Sequence, residues 1–286
     1  MIGERHISIM GLPSSGKTTF LAALWHMVRE PGANTELSFD QLSEGNYEHL
    51  NALAKRWRFG SIQQRTQVSG ARAVTMRLKD TDGRKAEVSF PDLPGEDFSH
   101  MWERRELDKG ILETLKAPLL VLMINGDTIK MPAWVAEWNA LSKKMRVKPA
   151  AKEVVEWKAE VAPTQVKVVD LLQMLMSGEL KIGGRRLALL ISAWDQVEGE
   201  GETPAQILES KLPLLSQYLK SGRDPWTWQV WGISAQGGRY EDPDKNESFA
   251  ETDRLRDLER ASDRIKVVEE VHVGSDITKP LKWLIG

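Results

Sequence analysis

Apolar positions along the chain fall into short runs set apart by glycine, proline and charged turns, and the runs differ in period. His6-Ile7-Ser8-Ile9-Met10, Pro118 to Ile124, Leu187 to Ile191 and Trp228 to Ile233 are apolar nearly throughout, which predicts buried strands, with Pro118 to Ile124 of the parallel-sheet kind. Ala73 to Leu78 and Ala86 to Phe90 are strand-like runs that alternate, and Thr81-Asp82-Gly83-Arg84 between them predicts an antiparallel hairpin. Phe20 to Val28 carries helix-forming residues. After a break at Pro31-Gly32-Ala33-Asn34, Phe39 to Arg58 reads as a polar, helical connection anchored by Leu42, Leu50, Leu53 and Trp57. Pro204 to Leu219 reads as a helix capped by Thr203, and Asp276 to Ile285 as a short terminal helix with an Asp or Thr cap and Pro280 in its first turn.

Two stretches break this rhythm. Met131 to Ser177 is rich in Lys, Glu, Ala and Trp and reads as helices interrupted near Pro149 and Pro163, a helical insertion bounded at 128–180. Its Trp134, Trp138 and Trp157 stand at helical spacing and read as packing residues before a recognition surface. Tyr240 to Arg264 is highly charged and reads as a solvated loop plus a helix. The expected architecture is α/β with three layers and a mostly parallel sheet carrying one antiparallel hairpin strand. The helical insertion sits within a single domain over residues 1–286.

The first apolar run ends in chemistry. Gly11-Leu12-Pro13-Ser14-Ser15-Gly16-Lys17-Thr18-Thr19 fits the P-loop pattern, with a strand before it and a helix behind it. Gly11 and Gly16 let the backbone turn so that successive amides converge on phosphate oxygens, and Ser14, Ser15 and Thr19 lie in the same cradle. Lys17 would reach the β- and γ-phosphates, and the Thr18 hydroxyl would bind Mg²⁺. The hairpin ends in Pro91-Asp92-Leu93-Pro94-Gly95-Glu96, so Asp92 stands at a strand's C-terminal end, where open α/β sheets bind ligands. An aspartate there can hold Mg²⁺ through water, and Gly95 can offer its amide to a γ-phosphate. Asp127, after another strand, reads as a turn residue.

Composition narrows the class. With 39 basic and 41 acidic side chains the net charge is -2, so no overall field favours nucleic acid or an acidic membrane. No cysteine is present, which removes disulfides, thiolate zinc sites and thiol nucleophiles. The run at Ile7 passes straight into the glycine loop, unlike a signal peptide, and Ala117 to Ile124 is too short to span a bilayer, so the expected location is cytoplasmic.

Taken in order, the strand-end motifs resemble the Ras-like GTPase domain over nearly the whole chain outside the Met131 to Ser177 insertion. The resemblance implies a GTP/GDP site with Mg²⁺. Thr66 would be the Mg²⁺-binding switch threonine, with Ser61 and Ser69 as nearby alternatives. Asp92 to Gly95 would be the second switch, with a mobile part over Glu96 to Arg105. Thr66 and Gly95 would be held by the γ-phosphate and released after hydrolysis. Glu96 stands where relatives often carry a water-positioning glutamine, and a triphosphate would repel its carboxylate unless it is protonated or paired. Arg65 is either an arginine finger in cis or a solvated charge. Unaided turnover would be slow, on the order of 10⁻⁴ to 10⁻² s⁻¹.

For base recognition the family usually uses Asn-Lys-x-Asp, whereas this chain has Ser192-Ala193-Trp194-Asp195. The Asp195 carboxylate can accept from guanine N1–H and its exocyclic amine, a donor pair that adenine lacks. Ala193 cannot replace the lysine that packs along the base, which leaves Trp194 as the candidate to stack. Ser234-Ala235-Gln236 resembles the last motif, whose alanine amide faces guanine O6.

More narrowly, the loop from Gly11 to Thr19, Arg65-Thr66, Asp92 to Glu96, Ser-x-Trp-Asp and the Asp276 to Leu284 ending resemble the bacterial double-GTPase family. That resemblance implies work in bacterial conflict or antiphage defence beside a protein effector or second GTPase. It leaves oligomerisation open. A GTP-hydrolysing switch is therefore the first reading, beside a P-loop ATPase or kinase and a GTP-dependent scaffold with negligible hydrolysis.

Overall fold

The computed structural model describes residues 5–63, 73–91, 102–104, 109–132, 161–197, 201–242, 245 and 248–286. Its first half contains β1 (Arg5–Gly11), α1 (Lys17–Met27), β2 (Ser38–Glu44), α2 (Tyr47–Arg58), β3 (Val74–Lys79), β4 (Lys85–Phe90), α3 (Lys109–Leu115) and β5 (Leu119–Asn125). There follow α4 (Thr164–Leu175), β6 (Arg185–Ser192), α5 (Trp194–Val197), α6 (Pro204–Lys211), α7 (Pro213–Lys220) and β7 (Trp226–Ser234). The chain closes with α8 (Ala250–Arg256), β8 (Lys266–Glu269), β9 (His272–Gly274) and α9 (Lys279–Ile285).

One nine-stranded sheet has the order β2-β3-β4-β1-β5-β6-β7-β8-β9. Its centre, from β4 through β1, β5 and β6 to β7, is parallel. The expected hairpin is β3–β4, and its turn is tied by Arg84 donating its amide to Asp80 Oδ1 at 2.8 Å. Alternation along the central strands sends side chains to opposite faces. Val121, Met123, Ala188 and Leu190 join α1, α2 and α9 on one side. Leu120, Leu122, Ile124, Leu187, Leu189 and Ile191 join α4, α6 and α7 on the other. This gives the three-layer, mostly parallel α/β fold. Among the described residues no helix is long and apolar enough to cross a membrane.

The structure departs from the sequence expectation in three places. Phe39 to Arg58 is not one helix, because β2 pairs antiparallel with β3 and α2 starts only at Tyr47. The break is local: Gly45 sits at φ 123°, and the Asn46 side chain accepts from the amides of Glu48 and His49 to cap α2. Pro204 to Leu219 splits into α6 and α7, because Pro213 has no N–H to donate and forces Leu212 out of helical geometry. Thr203 caps α6 as expected, in a reciprocal pair with Gln206. Within the 128–180 stretch, α4 is the crossover that two adjacent parallel strands require, with Val168, Leu172 and Leu175 fully buried against the sheet. Trp134, Trp138 and Trp157 lie outside the described residues.

The third departure is at the C-terminal end. Tyr240 to Arg264 is not a solvated stretch: Tyr240, Thr252, Leu255 and Arg264 are buried, and beyond it the antiparallel strands β8 and β9 extend the sheet past β7. Asp276 and Thr278 do more than begin the last helix. Asp276 accepts from the Thr278 amide and hydroxyl and from the Glu36 amide, while Thr278 Oγ1 accepts from the Leu37 amide at 3.1 Å. The chain's end is thereby fastened beside β2.

Candidate functional site

The C-terminal tips of β1, β5, β6 and β7 lie along one edge of the sheet, with Gly11 opposite Met123, Asn125 opposite Ser192 and Ser192 opposite Ile233. At this edge opens a cleft of about 1250 Å³.

At its β1 end the loop from Gly11 to Gly16 turns into α1. Ser14 and Gly16 have φ of 58° and 87°, the left-handed region. A Cβ on Gly11 would lie 2.4 Å from Ser15 Oγ and 2.6 Å from the Met123 carbonyl oxygen, so this position requires glycine on contact grounds. No side chain caps the first turn of α1 and no acidic residue stands in it, which leaves amides and the positive end of the helix dipole available to an anion. Lys17 folds back over the loop, donating to Gly11 O at 2.7 Å, Leu12 O at 3.1 Å and Ser15 Oγ at 3.4 Å. Two neighbouring strand tips fasten the loop from behind. Asn125 Nδ2 donates to Ser14 O at 3.0 Å, and the buried Ser192 hydroxyl donates to Ser15 O at 2.8 Å. Neither fastening was visible in the motif itself; their one sequence signal is a polar residue closing an apolar strand.

At the other end stands Asp195, in the first turn of α5 after Ala193, whose φ is 51°. Both carboxylate oxygens are engaged: Ser234 Oγ donates to Oδ1 at 2.5 Å and Gln196 Nε2 to Oδ2 at 2.7 Å. The Gly237 amide donates to Ser234 Oγ at 3.0 Å, so the loop after β7 holds the serine that orients the aspartate. Trp194 does not stack in the cleft. It is fully buried, and its ring lies where a Cβ on Gly232 would come within 2.2 Å, so the indole packs against the bare backbone of β7.

The β7 loop is held from α2. Trp57 Nε1 donates to Ala235 O at 2.7 Å in the buried interior. Arg264 stacks over the Trp57 ring at 4.9 Å, and its guanidinium donates to Trp57 O, Tyr240 Oη, Leu255 O and Arg58 O. Burial pushes the Tyr240 hydroxyl up to about 12, with Arg264 pulling it down and Asp195 pushing it up. The Gly60–Ile62 segment just after α2 is laced to the same loop, with Ile62 donating to Glu241 O and Glu241 donating to Gly60 O, each at 2.9 Å.

Ser14, Ser15, Gly16, Lys17, Thr18, Thr19, Asp195 and Ala235 line the cleft, Gly11 anchors its loop, and Ser234 orients Asp195. Asp127 lines it too, with its amide donating to Asn125 Oδ1 at 3.0 Å, in the turn. Arg65, Thr66, Asp92, Gly95 and Glu96 lie outside the described residues. Gln236 of the Ser234-Ala235-Gln236 motif lines it as well, whereas Ile62, Gln63, Arg239, Tyr240, Phe249 and Glu251, also in the lining, carried no signal in the sequence. Tyr240, Phe249 and Glu251 come from the stretch whose high charge concealed its buried positions.

No curated protein matches the chain. Solved structures are similar at low identity. The signal recognition particle receptor SRb-GTP/SRX complex from Chaetomium thermophilum is 12% identical over 86% of this chain and 96% of that one, with a TM-score of 0.40. The GTPase-like domain of S. cerevisiae Ski7, bound to GDP and inorganic phosphate, is 11% identical over 88% of this chain and 48% of that one, with a TM-score of 0.40. A putative nucleolar GTP-binding protein 1 from Plasmodium falciparum is 10% identical over 82% of this chain and 79% of that one, with a TM-score of 0.34. Likenesses this remote carry no conclusion about activity. A family model described as Double-GTPase 1 matches residues 8–284, and the chain therefore belongs to that family of P-loop GTPases.

Proposed function

We propose that the cleft binds GTP and GDP with Mg²⁺, and that the protein hydrolyses GTP slowly as a switch acting on a protein partner in bacterial defence. One observation carries the nucleotide reading: the Lys17 loop and the Asp195 carboxylate line the same cleft. From β1 to β7 the strand tips span three steps, roughly 14 Å, a length suited to a nucleoside triphosphate laid along the edge. Gly11, Ser14, Ser15, Gly16, Lys17, Thr18 and Thr19 would cradle the phosphates. Asp195, oriented by Ser234, would read the guanine edge, with Ala235 beside it.

Mg²⁺ takes few protein oxygens and keeps phosphates and waters as its other ligands, so the Thr18 hydroxyl next to Lys17 at the cleft suits it. Thr66 and Asp92 are the further proposed ligands, and Gly95 the amide that senses the γ-phosphate. When bound, the ion neutralises charge developing on the phosphate oxygens. Lys17 would leave its loop carbonyls to meet those oxygens, an exchange of one set of acceptors for another that costs little. Glu96 and Arg65 are the proposed catalytic side chains that a partner would complete, and the protein is expected in the cytoplasm.

Competition of GTP and ATP against a fluorescent guanine nucleotide tests the base, and Asp195→Asn should move preference toward xanthosine nucleotide. Better competition by ATP with no change in the variant would show another base to be the ligand. Lys17→Ala should abolish triphosphate binding. Single-turnover phosphate release separates a slow hydrolase from a scaffold that turns over nothing.

A further inference from the structure

Among the described residues, neither neighbour on the N-terminal side of Asp195 offers a surface for the flat face of a bound base. Ala193 carries only a methyl group, and Trp194 is committed to the packing against Gly232. Yet a cation stands there. Lys17 and Arg239 are the cations among the described residues that line the cleft, and they come from opposite ends, the β1 loop and the loop after β7. The Arg239 guanidinium sits 4.8 Å from the centre of the Phe249 ring, and Phe249 lines the cleft as well.

We infer that Arg239, backed by Phe249, is the stacking surface for the purine, in place of the lysine that Ala193 replaces. The inference rests on the guanine-nucleotide reading above and adds to it a residue that grips the base. Both members are held by their backbones. Arg239 O accepts from the Thr252 hydroxyl at 2.8 Å, and the Phe249 amide donates to Glu241 Oε1 at 3.0 Å. Glu241 is itself paired with Arg256. Arg239 is exposed and its guanidinium carbon lies over the Phe249 ring, so a planar cation backed by an aromatic side chain stands within reach of a ligand in the cleft. A guanidinium stacks on aromatic faces through charge and shape together, which a lysine ammonium does not reproduce. Stacking of this kind tolerates either purine, so Arg239 would supply affinity while Asp195 supplies the choice of base.

The test is calorimetric titration of the full chain with GDP and, separately, with inorganic tripolyphosphate, which has no base. Arg239→Ala should weaken GDP about tenfold or more and leave tripolyphosphate unchanged. Arg239→Lys should recover only part of the loss, and Phe249→Leu should cause a smaller loss. The double variant Arg239→Ala/Phe249→Leu should be no worse than Arg239→Ala alone, because Phe249 acts through the guanidinium. Equal loss of both ligands would make Arg239 a phosphate contact and overturn the inference, as would full recovery by lysine or wild-type GDP affinity in Arg239→Ala. A wild-type chain that binds tripolyphosphate but not GDP would instead overturn the guanine reading and this inference with it, an outcome distinct from wild-type binding that the substitutions leave untouched.

Discussion

The two ends of the cleft are built by different means. At the end proposed for phosphate, among the described residues, a single contiguous stretch, Gly11 to Thr19, shapes the cleft through its backbone, and the Asn125 and Ser192 side chains from neighbouring strands fasten it. At the base end nothing is contiguous. Asp195 follows β6, Ser234 and Ala235 follow β7, and Trp57 reaches in from α2, 178 residues away from the carbonyl it holds. A backbone cradle tolerates changes in side chain but not in conformation; a side-chain assembly tolerates the loss of one member if another arrives from elsewhere.

This contrast can be broken or sharpened experimentally. The largest effect is expected from Gly11→Ala, because the new methyl group would collide with the Met123 carbonyl as well as with Ser15. Overpacking costs about 1–3 kcal/mol, and the loop must shift to relieve it. Thermal melting and tripolyphosphate titration should both register the change; retention of wild-type phosphate binding would refute the claim that backbone shape dominates there. Gly232→Ala should also destabilise by about 1–3 kcal/mol, through the Trp194 ring. Its binding defect should appear with GDP and not with tripolyphosphate, and a defect shared by both ligands would mean that the two ends are not separable.

Trp57→Phe keeps an aromatic ring but removes the pyrrole half of the indole with its donor to Ala235 O, leaving a buried acceptor unmade, at about 1–2 kcal/mol, and a small cavity that adds to the cost. Denaturant unfolding measures it, and loss of GDP affinity without loss of tripolyphosphate affinity would locate the effect at the base end. Ser192→Ala should cost about 1 kcal/mol, by freeing Ser15 O. Ser192 closes β6 immediately before the turn that carries Asp195, so here the two ligands should weaken together.

The smallest effect concerns pH. Burial holds the His26 imidazole below its ordinary value, Glu30 opposes this, and Arg58 and Arg264 add to it. His26 lies 5.1 Å from the Trp57 ring, behind the base end. Because the unfolded chain binds this proton more readily, stability is fully present above about pH 6.5 and falls as pH drops from there toward the folded value. His26→Gln should flatten that slope between pH 7.5 and 5.5 in urea titrations, and an unchanged slope would assign it to other groups.

The phosphate loop, the hairpin and the central strands were legible because each depends on residues close in sequence: Gly16 needs only its own φ, and Val121 and Leu122 alternate by pleat alone. Where local pattern and tertiary context disagreed, context won. Ser38 to Glu44 looks polar and helical until it is paired against β3, which gives Phe39 and Leu42 something to cover. Arg264 looks like surface charge until four acceptors from distant segments surround its guanidinium.

Local backbone preference and hydrophobic period alone specify the strand–loop–helix at Gly11 to Thr19 and the α/β architecture. Which side chains share the cleft depends on packing, which buries Trp194, brings Trp57 to Ala235 and sets Arg239 on Phe249. The reason is that burial and long-range contact belong to the packed chain, and no window of neighbouring residues contains them.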